Sequence, residues 1–265
     1  MAEMERYPAG TFCWVDLATT DARGAADFYT RLFGWDTVDL SADGAGAYTM
    51  LARNGKKVCA LFGMNPDLCE QGVPAHWQSY ISVDDAEVSC ARLAELGGEI
   101  VQPAFDVSGV GRMAVVRDPA GAAFALWQPG QHVGAQIVNE PGTLCWNELH
   151  TPRSEQAIAF YGELFGWTAR RSQGAVAGVP SVQFVHADRP AAGLIEIRPE
   201  WGEMPPIWAV YFAVADCEAT LSSVETLGGR VAMPPTEDPG RGRFAFIQDP
   251  QGAFFAIIEL VPASV

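Results

Sequence analysis

Two carboxylates stand at matching places in two related stretches of this chain. "GTFCWVDLATTDARGAADFYTRLFGW" begins at Gly10 and "GTLCWNELHTPRSEQAIAFYGELFGW" at Gly142. The acids are Asp16 and Glu148, each two residues after a tryptophan, Trp14 or Trp146. Residues two apart on a strand share a face, so each acid lies beside an indole. A carboxylate against aromatic surface is costly unless it is solvated, paired or used. In use it is a general base whose pKa the apolar surroundings raise. Its plainer alternatives are a wet barrel mouth or an arginine partner, and Arg112 and Arg243, repeated in the two copies, are the candidates for that pairing. His150 appears only in the second copy, in place of Ala18, on the face of Glu148. Glu148, His150 and Glu196 could together make an acid/base or metal cluster. A lone histidine near a strand end is more often an ordinary hydrogen-bonded residue. His76, His132 and His186 lie at loop or strand ends and receive no role.

The elements that position these groups follow from the repeat. Residues 76–128 align without a gap on residues 207–259: Trp77 meets Trp208, Tyr80 meets Tyr211, and "DPAGAAFA" at Asp118 meets "DPQGAFFA" at Asp249. Fixed spacing over such a length reads as duplication, with a Gly- and Pro-containing linker between the halves. Each half contains two similar segments. A strand near Thr11–Ala18 leads to a helix from about Asp21 to Phe33, whose Ala25, Phe28, Tyr29, Leu32 and Phe33 have the spacing of a buried face. The helix stops at Gly34, and strands follow around Ala47–Arg53 and Val58–Met64. The second segment has a strand at Trp77–Val83, a helix from the Asp84/Asp85 cap to Gly97, and a hairpin over Arg112–Gln128. Asp118-Pro119-Ala120-Gly121 fits a type I turn. Each half thus reads βαβββ twice.

Alternation then sorts the strands. Cys13, Val15 and Leu17 pack beneath the helix, while Phe12, Trp14, Asp16 and Ala18 face inward. Gln78, Tyr80 and Ser82 face inward from the next strand, and Ala123, Ala125 and Trp127 from the last. The second half gives Trp146, Glu148 and His150, then Ala209, Tyr211 and Ala213, then Phe254, Ala256 and Ile258.

The motifs "FYxxLFGW", "V-x-D" before a helix, "LGG" at a helix end and "DPxG" in a hairpin resemble the vicinal oxygen chelate superfamily of glyoxalase I, bleomycin resistance proteins and extradiol dioxygenases. The "CW" start with "LFGW" is most similar to its tandem-domain actinobacterial branch, glyoxalase-like or hydroxylase-like. The resemblance implies an α+β fold of two tandem glyoxalase-like domains, each of two βαβββ modules forming a half-barrel. Residues 1–130 make the first domain, 131–141 the linker and 142–265 the second. It also implies metal-ligand positions at Trp14 and Trp146, Gln78 and Ala209, Ala125 and Ala256, and Gly63 and Glu196. Few of these residues can hold a metal, so the expectation is no metal and no cofactor, the alternative being a divalent ion in the second domain. An indole at a former ligand position offers a flat apolar surface and one N–H donor. With Tyr80, Trp127 and Tyr211 it suggests cavities for a planar or hydrophobic small molecule, against the plainer reading of aromatics that plug a shrunken cavity.

Three functions compete. One is a metal-independent protein that binds a small molecule, with hydroxylase-, lyase- or isomerase-like chemistry. The second is a metal-dependent glyoxalase or dioxygenase using Glu148, His150 and Glu196, and the third a structural protein with vestigial cavities. The candidate catalytic residues are Glu148, His150 and Asp16. The candidate ligand-binding residues are Trp14, Gln78, Tyr80, Trp127, Trp146, Glu196 and Tyr211.

Composition sets the outer bounds. The 265 residues, 49% hydrophobic and 18% charged, fit two compact domains. A net charge of −15 excludes a nucleic-acid face and disfavours anionic membranes. No signal peptide or spanning segment is visible, and the six cysteines form no CxxC pair, which points to thiols in a reduced cytoplasm. The expected partner is a small-molecule ligand, with the chain a monomer or homodimer.

Overall fold

The computed structural model describes residues 2–39, 48–173 and 180–261. In chain order the elements of the first half are β1 (Ala2–Glu3), β2 (Phe12–Thr19), α1 (Ala22–Phe33), β3 (Asp36–Asp39), β4 (Thr49–Arg53), β5 (Lys56–Gly63), α2 (Pro66–Glu70), β6 (His76–Ser82), α3 (Ala86–Glu95), β7 (Glu99–Val107), β8 (Gly111–Arg117) and β9 (Ala123–Pro129). Next come β10 (Ile137–Val138), β11 (Leu144–Thr151), α4 (Ser154–Phe165), β12 (Thr168–Gln173), β13 (Pro180–His186), β14 (Arg189–Glu196), β15 (Ile207–Val214), α5 (Cys217–Thr226), β16 (Arg230–Asp238), β17 (Gly242–Gln248) and β18 (Phe254–Leu260). Two eight-stranded sheets result, ordered β3-β4-β5-β2-β6-β9-β8-β7 and β12-β13-β14-β11-β15-β18-β17-β16. This is the doubled βαβββ plan expected from the repeat, and each sheet belongs to one half. The strand expected from Ala47 begins at Thr49, and Ala47 lies outside the described residues.

Local chemistry sets the helices. Asp21 caps α1 by accepting from Gly24 N, and Asp85 and Asp216 cap α3 and α5 in the same way. Gly34 and Gly166 end α1 and α4 with φ of 68° and 71°, a conformation that a side chain resists.

Helices α1, α3, α4 and α5 pack on the faces that the two sheets turn toward each other, and the cores cross from half to half. Val15, Leu17, Phe28, Tyr29 and Phe33 pack with Phe212, Leu221, Phe255 and Ile257 of the second half. Ile81, Leu93, Phe124 and Leu126 pack with Leu149, Phe160, Tyr161 and Phe184. The repeated motifs are the clasps of this arrangement. Tyr29 donates to Asp249 Oδ2 at 2.9 Å and Tyr161 to Asp118 Oδ2 at 3.1 Å. Trp77 and Trp208 donate in turn to the two tyrosine oxygens. The tryptophan of each "LFGW" donates to the glycine carbonyl that opens the other copy, Trp35 to Gly142 and Trp167 to Gly10. Asp118 also takes three backbone N–H groups on Oδ1, so its turn is built around the clasp.

Two inward assignments need correction. The β2–β6 register slips between Phe12 and Trp14, so Phe12 faces the helices and its ring lies 4.9 Å from that of Trp208. One extra residue at a bulge reverses the faces before it. The same slip occurs between Leu144 and Trp146. Phe254, at the start of β18, is exposed instead of lining the interior. The six cysteines are all free thiols, Cys69 exposed and Cys145 half-buried. No helix among the described residues is long and apolar enough to cross a membrane.

Candidate functional site

Both sheets turn a carboxyl group toward the face away from the helices, and the two carboxyls have different neighbours. In the first half, Asp16 is 1% exposed. Its Oδ2 accepts from Tyr80 at 2.6 Å and from Tyr48 at 2.9 Å, and Tyr48 oxygen accepts from Trp14 Nε1 at 3.0 Å. Burial pushes the Asp16 carboxyl up to about 7, against the opposing pull of the two tyrosine hydrogen bonds. Asp16 Oδ1 is buried with no partner among the described residues. Gln78 lies directly across from Asp16 in the ladder but donates to Ser79 O instead.

The linker closes this side. His132 sets its ring edge-on to Trp14 at 4.5 Å and against Trp127 at 5.7 Å, while its carbonyl accepts from Trp127 Nε1. Burial, and then the charge of Lys57, lower the His132 pKa to about 4. Ala135 N–H binds the carbonyl of Cys13 at the bulge, and Gln136 N–H binds Lys57 O. Trp14, Tyr80 and Trp127 are accordingly all buried.

Among the described residues no linker segment of this kind packs on the second cluster. Glu148 Oε1 accepts from Tyr211 at 2.8 Å and faces His150 Nε2 at 3.0 Å, whose N–H tautomer donates to it. Burial and the Glu148 charge raise Tyr211 well above the usual phenol range, so it remains a donor at neutral pH. Phe246 flanks both rings, 5.5 Å from His150 and 5.6 Å from Tyr211. Trp146, Ile207, Met233 and Phe246 complete an apolar, half-buried wall. Glu148 Oε2 has no hydrogen-bond partner among the described residues, and neither has Trp146 Nε1.

The structure therefore joins Trp14, Asp16, Tyr80 and Trp127 in one cluster and Trp146, Glu148, His150 and Tyr211 in another, with Gln78 at the border of the first. It does not bring Glu196 to the second. In β14, Gly193 and Ile195 pair with Glu148 and His150, whereas Leu194 and Glu196 alternate to the helix side. There Glu196 accepts from Ser154, in a cleft of about 410 Å³ with Arg171 and Arg198. The arginine pairing also fails: Arg112 binds Glu87 and Asp106, and Arg243 binds Glu218 and Glu237. Their places are taken by hydroxyl and imidazole donors. His132 and His186, left without a role, do have contacts; His186 Nε2 meets Ala9 O at 3.0 Å. Tyr48 was missed, although it shares strand parity with the inward Met50.

The metal positions implied by resemblance do not hold a coordinating set. Among the described residues no three His, Cys, Asp or Glu side chains converge. A divalent ion needs several such ligands, and the described residues bring together no such group.

The sequence pattern of the Glyoxalase/Bleomycin resistance protein/Dioxygenase superfamily matches residues 11–126 and 148–257. The chain belongs to this superfamily. It is 41% identical over 263 residues to CFP32 of Mycobacterium tuberculosis, provisionally named a glyoxylase, with 99% of both chains covered. It is 39% identical over 269 residues to the anthracycline biosynthesis protein DnrV of Streptomyces peucetius, covering 97% of this chain and 96% of DnrV. Among solved structures, the Mn(II)-bound glyoxalase from Novosphingobium aromaticivorans matches with a TM-score of 0.63 at 14% identity, over 96% of this chain and 84% of that one. A 4-hydroxymandelate synthase variant from Streptomyces coelicolor matches with a TM-score of 0.63 at 14% identity, over 98% and 95%. At such identities these two structures speak to the fold alone.

Proposed function

We propose that this protein binds a small planar, mostly apolar molecule on the face of its second sheet that points away from the helices and moves a proton on it without a metal, with Glu148 as base. The observation that carries this reading is the asymmetry of the Glu148 carboxyl. Oε1 is held by Tyr211 and His150, while Oε2 is left to a ligand beside half-buried aromatic surface. Two donors on one oxygen fix the carboxylate without consuming its second oxygen, and a positioned base of this kind contributes roughly 10²–10⁴ to a rate. His150 sets a second polar ring, able to donate or accept a hydrogen bond, beside the carboxylate. Metal independence rests on the donor set, which does not suit an ion. The 39% identity to an anthracycline biosynthesis protein supports a fused aromatic ligand. The first half fits a filled-in cavity, because the linker and His132 seal the acid there.

The test is titration with 1,4-dihydroxyanthraquinone, followed by its visible absorption. Glu148→Gln should weaken binding about tenfold, the scale of one lost charge-assisted hydrogen bond, and Asp16→Asn should leave it unchanged. If Asp16→Asn is the more harmful while both variants stay folded, the working site is in the first half.

A further inference from the structure

Gly193 stands opposite Glu148 in the β11–β14 pairing. A Cβ at that position would lie 2.7 Å from Glu148 Oε2 and 2.9 Å from Trp146 Nε1. The two polar atoms left without partners therefore pack against the bare backbone of the glycine, closer to it than any side chain at 193 would permit. One is an N–H donor and the other a carboxylate acceptor. The first half has no such close approach. Its counterpart, paired with Asp16, is Ala60, and the indole N–H of Trp14 is already bound to Tyr48. The longer acid and the smaller neighbour occur together in the second half only.

We propose that Gly193 is a specificity-determining residue that lets Trp146 and Glu148 converge on a ligand hydroxyl, whose oxygen accepts from Trp146 Nε1–H and whose hydrogen goes to Glu148 Oε2. The class selected is a phenol or enol, because one O–H satisfies both protein atoms, whereas a carbonyl or ether serves only the indole. A site built to bond a hydroxyl penalises the analogue that lacks it, because its own polar groups are then left unpaired. This inference rests on the second-half site proposed above and adds the group by which the ligand is recognised.

Three ring-matched probes separate the two ideas: 1-naphthol, 1-methoxynaphthalene and naphthalene, titrated against the whole protein by tryptophan fluorescence. Wild type should bind 1-naphthol at least about tenfold more tightly than 1-methoxynaphthalene. Gly193→Ala turns the carboxylate aside and should erase that preference while leaving naphthalene within about threefold. Trp146→Phe keeps the flat surface and removes the N–H, so it should weaken both oxygen-bearing probes relative to naphthalene. Ala60→Gly, the mirror change in the first half, should leave the preference intact. Equal binding of all three probes to wild type overturns the hydroxyl proposal and leaves the site standing. Binding of none overturns the site and the proposal together. If Gly193→Ala fails to fold, the Trp146→Phe result decides; a folded Gly193→Ala that keeps the full preference refutes the role of Gly193.

Discussion

Between pH 5 and pH 8 the wild-type protein should lose about 3 kcal/mol more stability than Asp16→Asn. Burial raises the Asp16 carboxyl to about 7 from an ordinary 3.8. A carboxyl raised by folding keeps its proton in the folded state after the unfolded chain has released it. Stability then falls with rising pH from the unfolded pKa to the folded one. Each unit is worth about 1.4 kcal/mol, and roughly two units of the window lie between pH 5 and about 7. Asparagine cannot ionise, so its variant lacks this slope. The amide it places where Oδ1 has no partner adds a cost, but one that is the same at both pH values. Burial also raises Asp118 and Asp249 and lowers His132, yet those groups are common to both proteins and cancel in the comparison. The assay is urea unfolding of both proteins at pH 5 and 8, with equal slopes against urea required before midpoints are converted to free energies. Parallel pH dependences for the two proteins would refute the reasoning, because Asp16 would then ionise in the fold as it does in the unfolded chain.

Tyr161→Phe should cost about 2–4 kcal/mol in urea unfolding, since it strips a partner from both Asp118 and Trp208. Tyr29→Phe should match it through Asp249 and Trp77, and a loss below about 0.5 kcal/mol in either would deny the clasp. His132→Phe should remove an acid lability: a histidine lowered to about 4 loses its contribution as pH falls from about 6.5 through the folded value, here on the order of 2 kcal/mol. Thermal unfolding at pH 4.5 and 7 checks this, and an unchanged pH dependence would place His132 in solvent.

The fold was legible because duplication and alternation are both written in residue order. Trp14 with Asp16 and Trp146 with Glu148 face away from the helices as strand parity requires, and Tyr80 and Tyr211 meet the acids. Parity failed at Phe12 because a bulge adds a residue that no composition signal marks. It would have succeeded at Glu196, since Leu194 in the same strand is a core residue and Glu196 shares its face. The arginines misled because charge alone suggested a partner. In the fold Arg112 and Arg243 pair with closer carboxylates on their own side of each half. His132 and Gly193 were illegible for a different reason. One acts through where the linker runs and the other through the atoms that its missing side chain lets approach, and neither is local to the sequence.

The most direct test of the central claim is a crystal structure of the protein with 1,4-dihydroxyanthraquinone bound. The ring system should lie against Trp146 and Phe246, with one phenolic oxygen beside Gly193, within hydrogen-bonding distance of Glu148 Oε2, and the Asp16 cluster should still be closed under His132. Ligand density against Trp14 and Asp16 with His132 displaced, or only in the cleft of Glu196 and Arg171, would contradict it.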